Sequence, residues 1–342
     1  MVQIPELLSE LVPARRDFHV LVVDDDEVSL LLTREMLGLK GYNVQGAANA
    51  EQAMEAIAAE APDLILSDVI MPGIDGIELC RKLKDDTATR LIPVILITGL
   101  GERDARLRGI EAGADDFLHK PIDPQELFAR VASLLKLKQF TDELENAESV
   151  LYALALGVEA RDPYTHGHCA RLSTYAANLG MEMGLSEPDI IALRRAGVLH
   201  DIGKISVPDA ILRKPGPLTA EEAAVLHRHP ITGEQICRPL RTLQRVLPII
   251  RHHHEHWNGR GYPDGLAGEA IPLLARILQV VDAYDALTTD RPYKPAWSHQ
   301  EARDVLMSEA KQQWWDQAIL RVFLSQLDRQ PENWPSSRRR AS

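Results

Sequence analysis

FHVLVVDDDEVSLLLTREMLGLKGYNVQGA, residues 18–47, decides the fold of the amino-terminal half. An apolar run, FHVLVV, stops at three consecutive aspartates, an amphipathic stretch LLLTREMLGLK follows, and a second extended run, YNVQG, comes after it. The unit recurs to about Lys136 through AEQAMEAIAA, DLILS, DGIELCRKLK, IPVILIT, ERDARLRGIEA, DDFLHKP and PQELFARVASLLK, making five repeats of strand and helix. Continuous apolar strands alternating with helices predict an α/β doubly wound, five-stranded parallel sheet covered on both faces. Such a sheet binds ligands at the carboxyl ends of its strands.

Those ends carry acids and polar groups. LVVDDD ends in Asp24, Asp25 and Asp26, LILSD in Asp68, VILIT in Thr98, and DDFLHKP places Lys120 after the fifth strand. Carboxylates brought side by side repel and call for a divalent cation, with Mg²⁺ the oxygen-preferring choice. An Asp nucleophile, a hard cation, a hydroxyl and a lysine suit phosphoryl transfer onto a carboxylate. One such acid alone would more often cap the next helix; four complementary strand ends are harder to explain that way.

Working outward, 342 residues are too many for one typical domain. From about Gln125 to Leu154 a helical pattern runs without Gly or Pro, and Leu137, Phe140, Leu144, Ala147, Leu151 and Leu154 keep the spacing of a coiled-coil seam. The expectation is a connecting helix that pairs two chains as a homodimer. Beyond Gly157 the stretches HCARLSTYAANLGMEMG, EPDIIALRRAGVLHD, AEEAAVLHRH, LLARILQVVDAYDALTT and WDQAILRVFLSQL read as long helices without convincing strands, an all-α domain. The expected limits are residues 18–138 for the first domain, 125–154 for the connecting helix, 150–328 for the second domain and 329–342 for a flexible tail.

A net charge of −12 disfavours DNA, and no segment approaches the ~20 apolar residues of a membrane span. With three distant cysteines, Cys80, Cys169 and Cys237, and an N-terminus lacking a basic start before an apolar run, a cytoplasmic protein with inert thiols is expected.

Histidines concentrate in the helical half, most densely in HHHEHWNGRGYPDG, residues 252–265. The candidate ligands are His168, His200, Asp201, His229, His253, His254 and Asp282. Adjacent His200 and Asp201 in VLHDIGK cannot both be core packing, because Asp is almost never buried unpaired. Imidazoles with carboxylates suit Zn, Fe or Mn, and an Asp can bridge two metals in a centre that hydrolyses phosphoesters by in-line attack of an activated hydroxide.

Residues 18–138 resemble the receiver domain of bacterial response regulators, through LVVDDD, LILSDVIMPGIDGIEL, LIT and HKP. The resemblance implies that Asp68 accepts phosphate from a sensor histidine kinase, that Asp24 and Asp25 bind Mg²⁺ with it, that Thr98 and Lys120 sense the phosphate, and that Phe117 is the aromatic switch. Residues 150–328 resemble the HD-GYP domains, metal-dependent phosphodiesterases that degrade cyclic di-GMP. THGHCARLSTYA, LHDIGKISVPDAILRKPGPLT, HRHPITGEQI, HHHEHWNGRGYPDGLAGEAIPLLARI and VDAYDALTTDRPYKPAW carry that likeness in order. It implies the seven ligands above, divides the four histidines so that His253 and His254 are ligands while His252 and His256 flank them, and places Lys204, Arg291 and Lys294 on the substrate, with Gly261, Tyr262 and Pro263 in a rigid turn.

Three positions depart from the pattern. Tyr164 stands where one branch has a third-metal Glu, so two metals, Fe or Mn, are expected. Asn258 replaces the usual Asp, and the Gly-x-x-Phe-Asp-Pro signature appears as QQWWDQ at 312–317. The sequence thus reads as a response regulator whose output hydrolyses cyclic di-GMP to pGpG or on to GMP. The alternatives are a non-catalytic cyclic-dinucleotide regulator and an HD hydrolase for another cyclic dinucleotide or phosphoester.

Overall fold

A computed structural model of the chain describes residues 18–99, 103–161, 167–289 and 296–329. Arg291, Lys294, Tyr164 and the tail from residue 330 lie outside them. The chain divides into two compact units between Glu145 and Asn146.

In the first unit β1 (His19–Val23), β2 (Asn43–Ala47), β3 (Leu64–Asp68), β4 (Val94–Thr98) and β5 (Asp116–His119) form one sheet in the order β2-β1-β3-β4-β5. Every pairing is parallel. Successive strand residues point to opposite faces, so the apolar runs feed two cores. Leu21, Val23, Ile65, Leu96 and Phe117 lie on one side with Ala53, Ile57, Leu79 and Leu83, while Val20, Val22, Leu64, Leu66, Ile95 and Ile97 lie on the other with Leu37, Leu127 and Val131. Each such buried side chain stabilises the unit by about 1.5–3 kcal/mol.

Helices α1 (Glu27–Gly38), α2 (Ala50–Ala59) and α3 (Gly76–Asp85) start on Asp26, Asn49 and Asp75, whose side chains accept the N–H of Ser29, Gln52 and Glu78. This use of Asp26 separates it from Asp24 and Asp25: the third acid of DDD is a helix cap. Helix α4 (Arg103–Glu111) follows β4.

Helix α5 runs from Pro124 to Arg161, seven residues past the stretch expected from the sequence. Gly157 does not end it, although a helical glycine costs about 1 kcal/mol, because Leu151, Ala155 and Val158 of the same turns are packed or buried. Its end is fixed from outside: Arg161 donates to the carbonyls of Ile205 and Val207 and to Asp209, and its own carbonyl accepts from Arg213. Leu137, Phe140 and Leu144 are 61, 51 and 44% exposed, whereas Leu151 packs against the second unit's core, so the apolar seam does not stay on one free face.

The second unit contains α6 (His168–Glu182), α7 (Glu187–Leu199), α8 (Asp209–Leu212), α9 (Ala220–Leu226), α10 (His229–Cys237), α11 (Leu247–His252), α12 (Leu273–Thr288), α13 (His299–Lys311) and α14 (Gln317–Arg329), around a core that includes Leu172, Leu193, Ile250, Val281, Tyr284 and Phe323. Among the described residues it has no strand, only an isolated bridge between Asn258 and Ala267. All three cysteines are free and buried, and burial raises the Cys80 and Cys237 thiols to about 11, so they are not nucleophiles at neutral pH. No described helix is long and apolar enough to cross a membrane.

Candidate functional site

The parallel sheet brings Asp24, at the end of β1, together with Asp25 and Asp68, each offering a carboxylate oxygen within 4.8 Å of the others. Asp24 and Asp68 are buried and Asp25 is exposed. Lys120 Nζ lies 2.8 Å from Asp68 and 3.1 Å from Asp24. Burial, the largest influence, raises the Asp24 pKa despite the N–H of Asp26 and the Lys120 ammonium. Three carboxylates facing one ammonium leave excess negative charge over oxygen donors, which fits a hard divalent cation such as Mg²⁺. Thr98 is buried with its hydroxyl 3.1 Å from His119 Nδ1, and Phe117 is buried with the Arg106 guanidinium 5.5 Å over its ring. A Cβ at Gly76 would stand 2.0 Å from the Asp68 carbonyl oxygen, so only glycine lets α3 start this close to Asp68.

The second unit gathers all seven candidate ligands from helix ends and one helix face. His168 opens α6, His200 and Asp201 follow α7, His229 opens α10, His253 and His254 follow α11, and Asp282 lies on α12. They fall into two groups, His168 with His200 and Asp282, and Asp201 with His229, His253 and His254, each with donor atoms within 4.8 Å. Asp201 faces both: Oδ2 is 3.3 Å from His200 Nε2, and Oδ1 is 3.1 Å from His229 Nε2 and 3.9 Å from His253 Nε2.

The protonation pattern of the rings explains what this cage accepts. Nδ1 of His200, His229 and His253 lies 3.2, 2.8 and 2.7 Å from the carbonyls of Gly197, Leu226 and Ile250. A carbonyl only accepts, so each Nδ1 carries the hydrogen and each Nε2 offers a lone pair inward. His168 and His200 face each other Nε2 to Nε2 at 3.4 Å, and so do His229 and His253. Asp201 Oδ1 is buried and makes no hydrogen bond. Opposed lone pairs and an orphaned carboxylate oxygen are unfavourable unless a cation sits among them, so the donor set fits divalent metals bridged by Asp201.

Burial opposes ionisation of Asp201, but Lys204 and His200 overrule it and hold the carboxyl well below its usual range. Lys204 Nζ is 2.5 Å from Asp201 Oδ2. Burial, reinforced by neighbouring histidines, keeps His253 and His254 neutral, with pKa values well below the ordinary one. A Cβ at Gly203 would meet the His229 carbonyl oxygen at 1.9 Å, which is why the turn after Asp201 needs glycine there.

HHHEHWNGRGYPDG divides by where α11 ends. His253 and His254 turn into the cage, His252 turns toward Asp264 at 3.4 Å, and His256 stacks on Trp314 at 4.8 Å. Glu255 is 0% exposed and accepts the N–H groups of Asp264 and Leu266 at 2.7 and 3.0 Å, closing the loop that carries Gly261, Tyr262 and Pro263. His252, Glu255 and Asp264 also form a cluster, but both oxygens of Asp264 accept from one edge of the Arg251 guanidinium, Nε and Nη2, so its acids already have partners. Gly261 cannot carry a side chain, since a Cβ would lie 2.3 Å from the His256 nitrogen. Tyr262 is stacked on His227 at 3.9 Å and tilted against His254 at 4.8 Å.

Two of the departures from the family pattern touch each other. Asn258 Nδ2 donates to the Gln312 carbonyl at 2.9 Å while its Oδ1 accepts from the Arg260 N–H at 3.0 Å, and the Trp257 N–H donates to the Trp314 carbonyl at 2.9 Å. An aspartate at 258 could make the second of these bonds but not the first.

Sequence reasoning passed over Glu255, His227, Arg171 and Asp285. Asp285, 2% exposed, lies 2.7 Å from His168 Nδ1 and is held by Arg171. Its signal was present in VDAYDAL, where Asp282 and Asp285 are three apart on one helix face.

Comparison with known proteins follows the same division. Residues 20–132 match the response regulator receiver domain and residues 154–319 match the HD domain. The chain is 38% identical over 317 residues to the cyclic di-GMP phosphodiesterase response regulator RpfG of Xanthomonas campestris, covering 85% of this chain and 83% of that protein. It is 34% identical over 311 residues to a cyclic di-GMP phosphodiesterase of Thermotoga maritima, covering 83% of each. It is also 36% identical over 213 residues to the 3'3'-cGAMP-specific phosphodiesterase 2 of Vibrio cholerae, covering 58% of this chain and 41% of that one.

Proposed function

The chain belongs to the response regulators that join a receiver domain to a metal-dependent HD phosphodiesterase domain, and on that footing we propose that it hydrolyses cyclic di-GMP to linear pGpG, or through it on to GMP, under control of phosphorylation at Asp68. The observation that carries this reading is Asp201 standing between two groups of inward-facing histidine nitrogens. When bound, a pair of divalent ions, Fe or Mn by donor type, would supply a hydroxide nucleophile at neutral pH and Lewis-acid stabilisation of a phosphodiester.

The chain's own residues do the rest. His168, His200 and Asp282 would hold one ion and His229, His253 and His254 the other, with Asp201 facing both groups. The Lys204 ammonium, tied to Asp201, is within reach of a phosphate oxygen, and Arg291 and Lys294 supply further positive charge to a substrate with two phosphodiesters; such fixed cations stabilise the charge that grows in the transition state. The loop with Gly261, Tyr262 and Pro263 walls the site beside His254.

In the receiver domain, a cognate sensor histidine kinase phosphorylates Asp68, and Asp24, Asp25 and Asp68 would hold the Mg²⁺ that offsets the charge. Lys120, already paired with Asp68, neutralises the added phosphate, and Thr98 and Phe117 change partners in response. The exposed Leu137, Phe140 and Leu144 on α5 support pairing with a second copy in the cytoplasm. The Vibrio cholerae relative makes 3'3'-cGAMP the rival substrate. Incubating the metal-loaded protein with each dinucleotide and separating products by chromatography tests the reading: linear pGpG at a higher kcat/KM from cyclic di-GMP supports it, and preference for 3'3'-cGAMP or no product from either overturns it.

A further inference from the structure

The two halves of the metal centre are supported differently. His200, His229 and His253 each set Nδ1 against a neutral backbone carbonyl. His168 instead sets Nδ1 against a carboxylate, Asp285 Oδ2, at 2.7 Å. That carboxylate is 2% exposed and belongs to neither group of converging ligands. Its other contacts include Arg171, whose Nε donates to Oδ1 at 2.6 Å and whose Nη2 donates to Oδ2 at 2.9 Å, a two-pronged grip, and the Thr289 hydroxyl, which donates to Oδ2 at 3.4 Å. Arg171 also donates to the Thr289 hydroxyl at 3.1 Å. A carboxylate gripped at both oxygens by one guanidinium is the partner that the geometry of Arg171 suits.

An imidazole whose Nδ1–H points at an anion is richer in electrons at Nε2, and so is a stronger metal donor, than one pointing at an amide carbonyl. The Arg171 fork limits the effect: by neutralising Asp285 it stops the carboxylate from taking the His168 proton outright, and it fixes the ring's orientation. We infer that Asp285, gripped by Arg171, is the positioning residue for the metal held by His168, His200 and Asp282, and that it makes the two metal positions chemically unequal. The inference rests on the two-metal reading above and adds which position depends on which buried ion pair.

The test uses the full chain loaded with Mn²⁺, dialysed against increasing chelator, with metal per chain measured at each step. The wild-type protein should carry two equivalents. Asp285→Asn keeps an oxygen for the His168 N–H but removes the charge. It should release one equivalent at roughly 10–100-fold lower chelator strength, leaving the other where it was. Asp282→Ala should lose that same equivalent, so adding Asp285→Asn to it changes nothing further, whereas Asp285→Asn combined with His229→Ala should lose both. Arg171→Lys, which keeps a cation but not the fork, should shift the same step by less. A circular dichroism melt of each variant separates loss of fold from loss of metal. An Asp285→Asn protein that is folded and releases both equivalents as the wild type does, or shifts both equally, overturns the inference. A wild-type protein that never holds more than one equivalent overturns the two-metal reading together with it.

Discussion

Replacing Glu255 with glutamine tests whether this residue is scaffold for the loop of the metal centre. No part of Glu255 reaches solvent, and its two oxygens accept the Asp264 and Leu266 N–H groups at 2.7 and 3.0 Å. Glutamine has the same shape, but only one of its two end atoms accepts; the other is an NH2 that would point its hydrogens at a backbone N–H. The variant therefore loses one charge-assisted bond, worth about 1.5–3 kcal/mol, and strands a buried donor at about 1–3 kcal/mol. The combined loss of about 2.5–6 kcal/mol is a large share of the ~5–15 kcal/mol that holds an ordinary domain together. At roughly 2–4 °C per kcal/mol for a domain of about 150–250 residues, the second unit should melt about 5–24 °C lower. The assay is a thermal melt of the metal-loaded chain, paired with metal content at a temperature where the variant is folded. Metal should stay at two equivalents and KM should rise, because the loop carrying Tyr262 loosens. A melt within 2 °C of wild type, or loss of an equivalent from the folded variant, would refute this account of Glu255.

Three further outcomes follow from the geometry. Asn258→Asp gives up the bond to the Gln312 carbonyl and sets a charge against it, so the second unit should lose about 1–2 kcal/mol in denaturant unfolding with a raised KM; an unchanged midpoint contradicts the tie between this loop and the 312–314 turn. Asp68→Asn should take up no phosphoryl group from acetyl phosphate, and turnover of the wild type, but not of the variant, should change on phosphorylation; equal rates in all four states rule out the relay. In the metal-stripped protein, burial keeps His253 and His254 neutral, so below about pH 6.5 the unfolded chain binds more protons than the folded one and stability falls on acidification by roughly 1 kcal/mol per pH unit for each. For His200 burial opposes the proton but Asp201 overrules it, raising the pKa, so its contribution is complete below about pH 6.5 and is lost as pH rises through the folded value. The melting temperature of the stripped protein should therefore peak near pH 6.5, and a steady increase down to pH 5 would contradict both assignments.

The sheet and its acid pocket were readable because strand, helix and strand-end acids repeat at short range: periodicity places Asp24 and Asp68 at neighbouring strand ends without knowledge of any distant contact. The metal cage is a different matter. Its ligands lie as far apart in sequence as His168 and Asp282, and only likeness to a family, not spacing, selected them. Within HHHEH the deciding fact is that α11 ends at His252, which crowding does not reveal. Glu255 reads locally as a solvated charge, yet its partners lie nine and eleven residues on. Heptad spacing on α5 is the same whether a leucine faces a second helix or its own domain, so Leu151 could not be told from Leu144 before the packing was known. Gly157 likewise suggests a helix end, and distant contacts to Arg161 carry the helix past it.

The central claim is that Asp201 joins two metal ions into one phosphodiesterase centre. The most direct measurement is metal per chain together with cyclic di-GMP turnover, for wild type and Asp201→Ala loaded with Fe²⁺ or Mn²⁺ under reducing conditions. The account predicts two equivalents and linear pGpG from the wild type, with metal lost from both positions and turnover abolished in the variant. Equal turnover in the two proteins, or a wild type that holds two metals and leaves cyclic di-GMP intact, would contradict it.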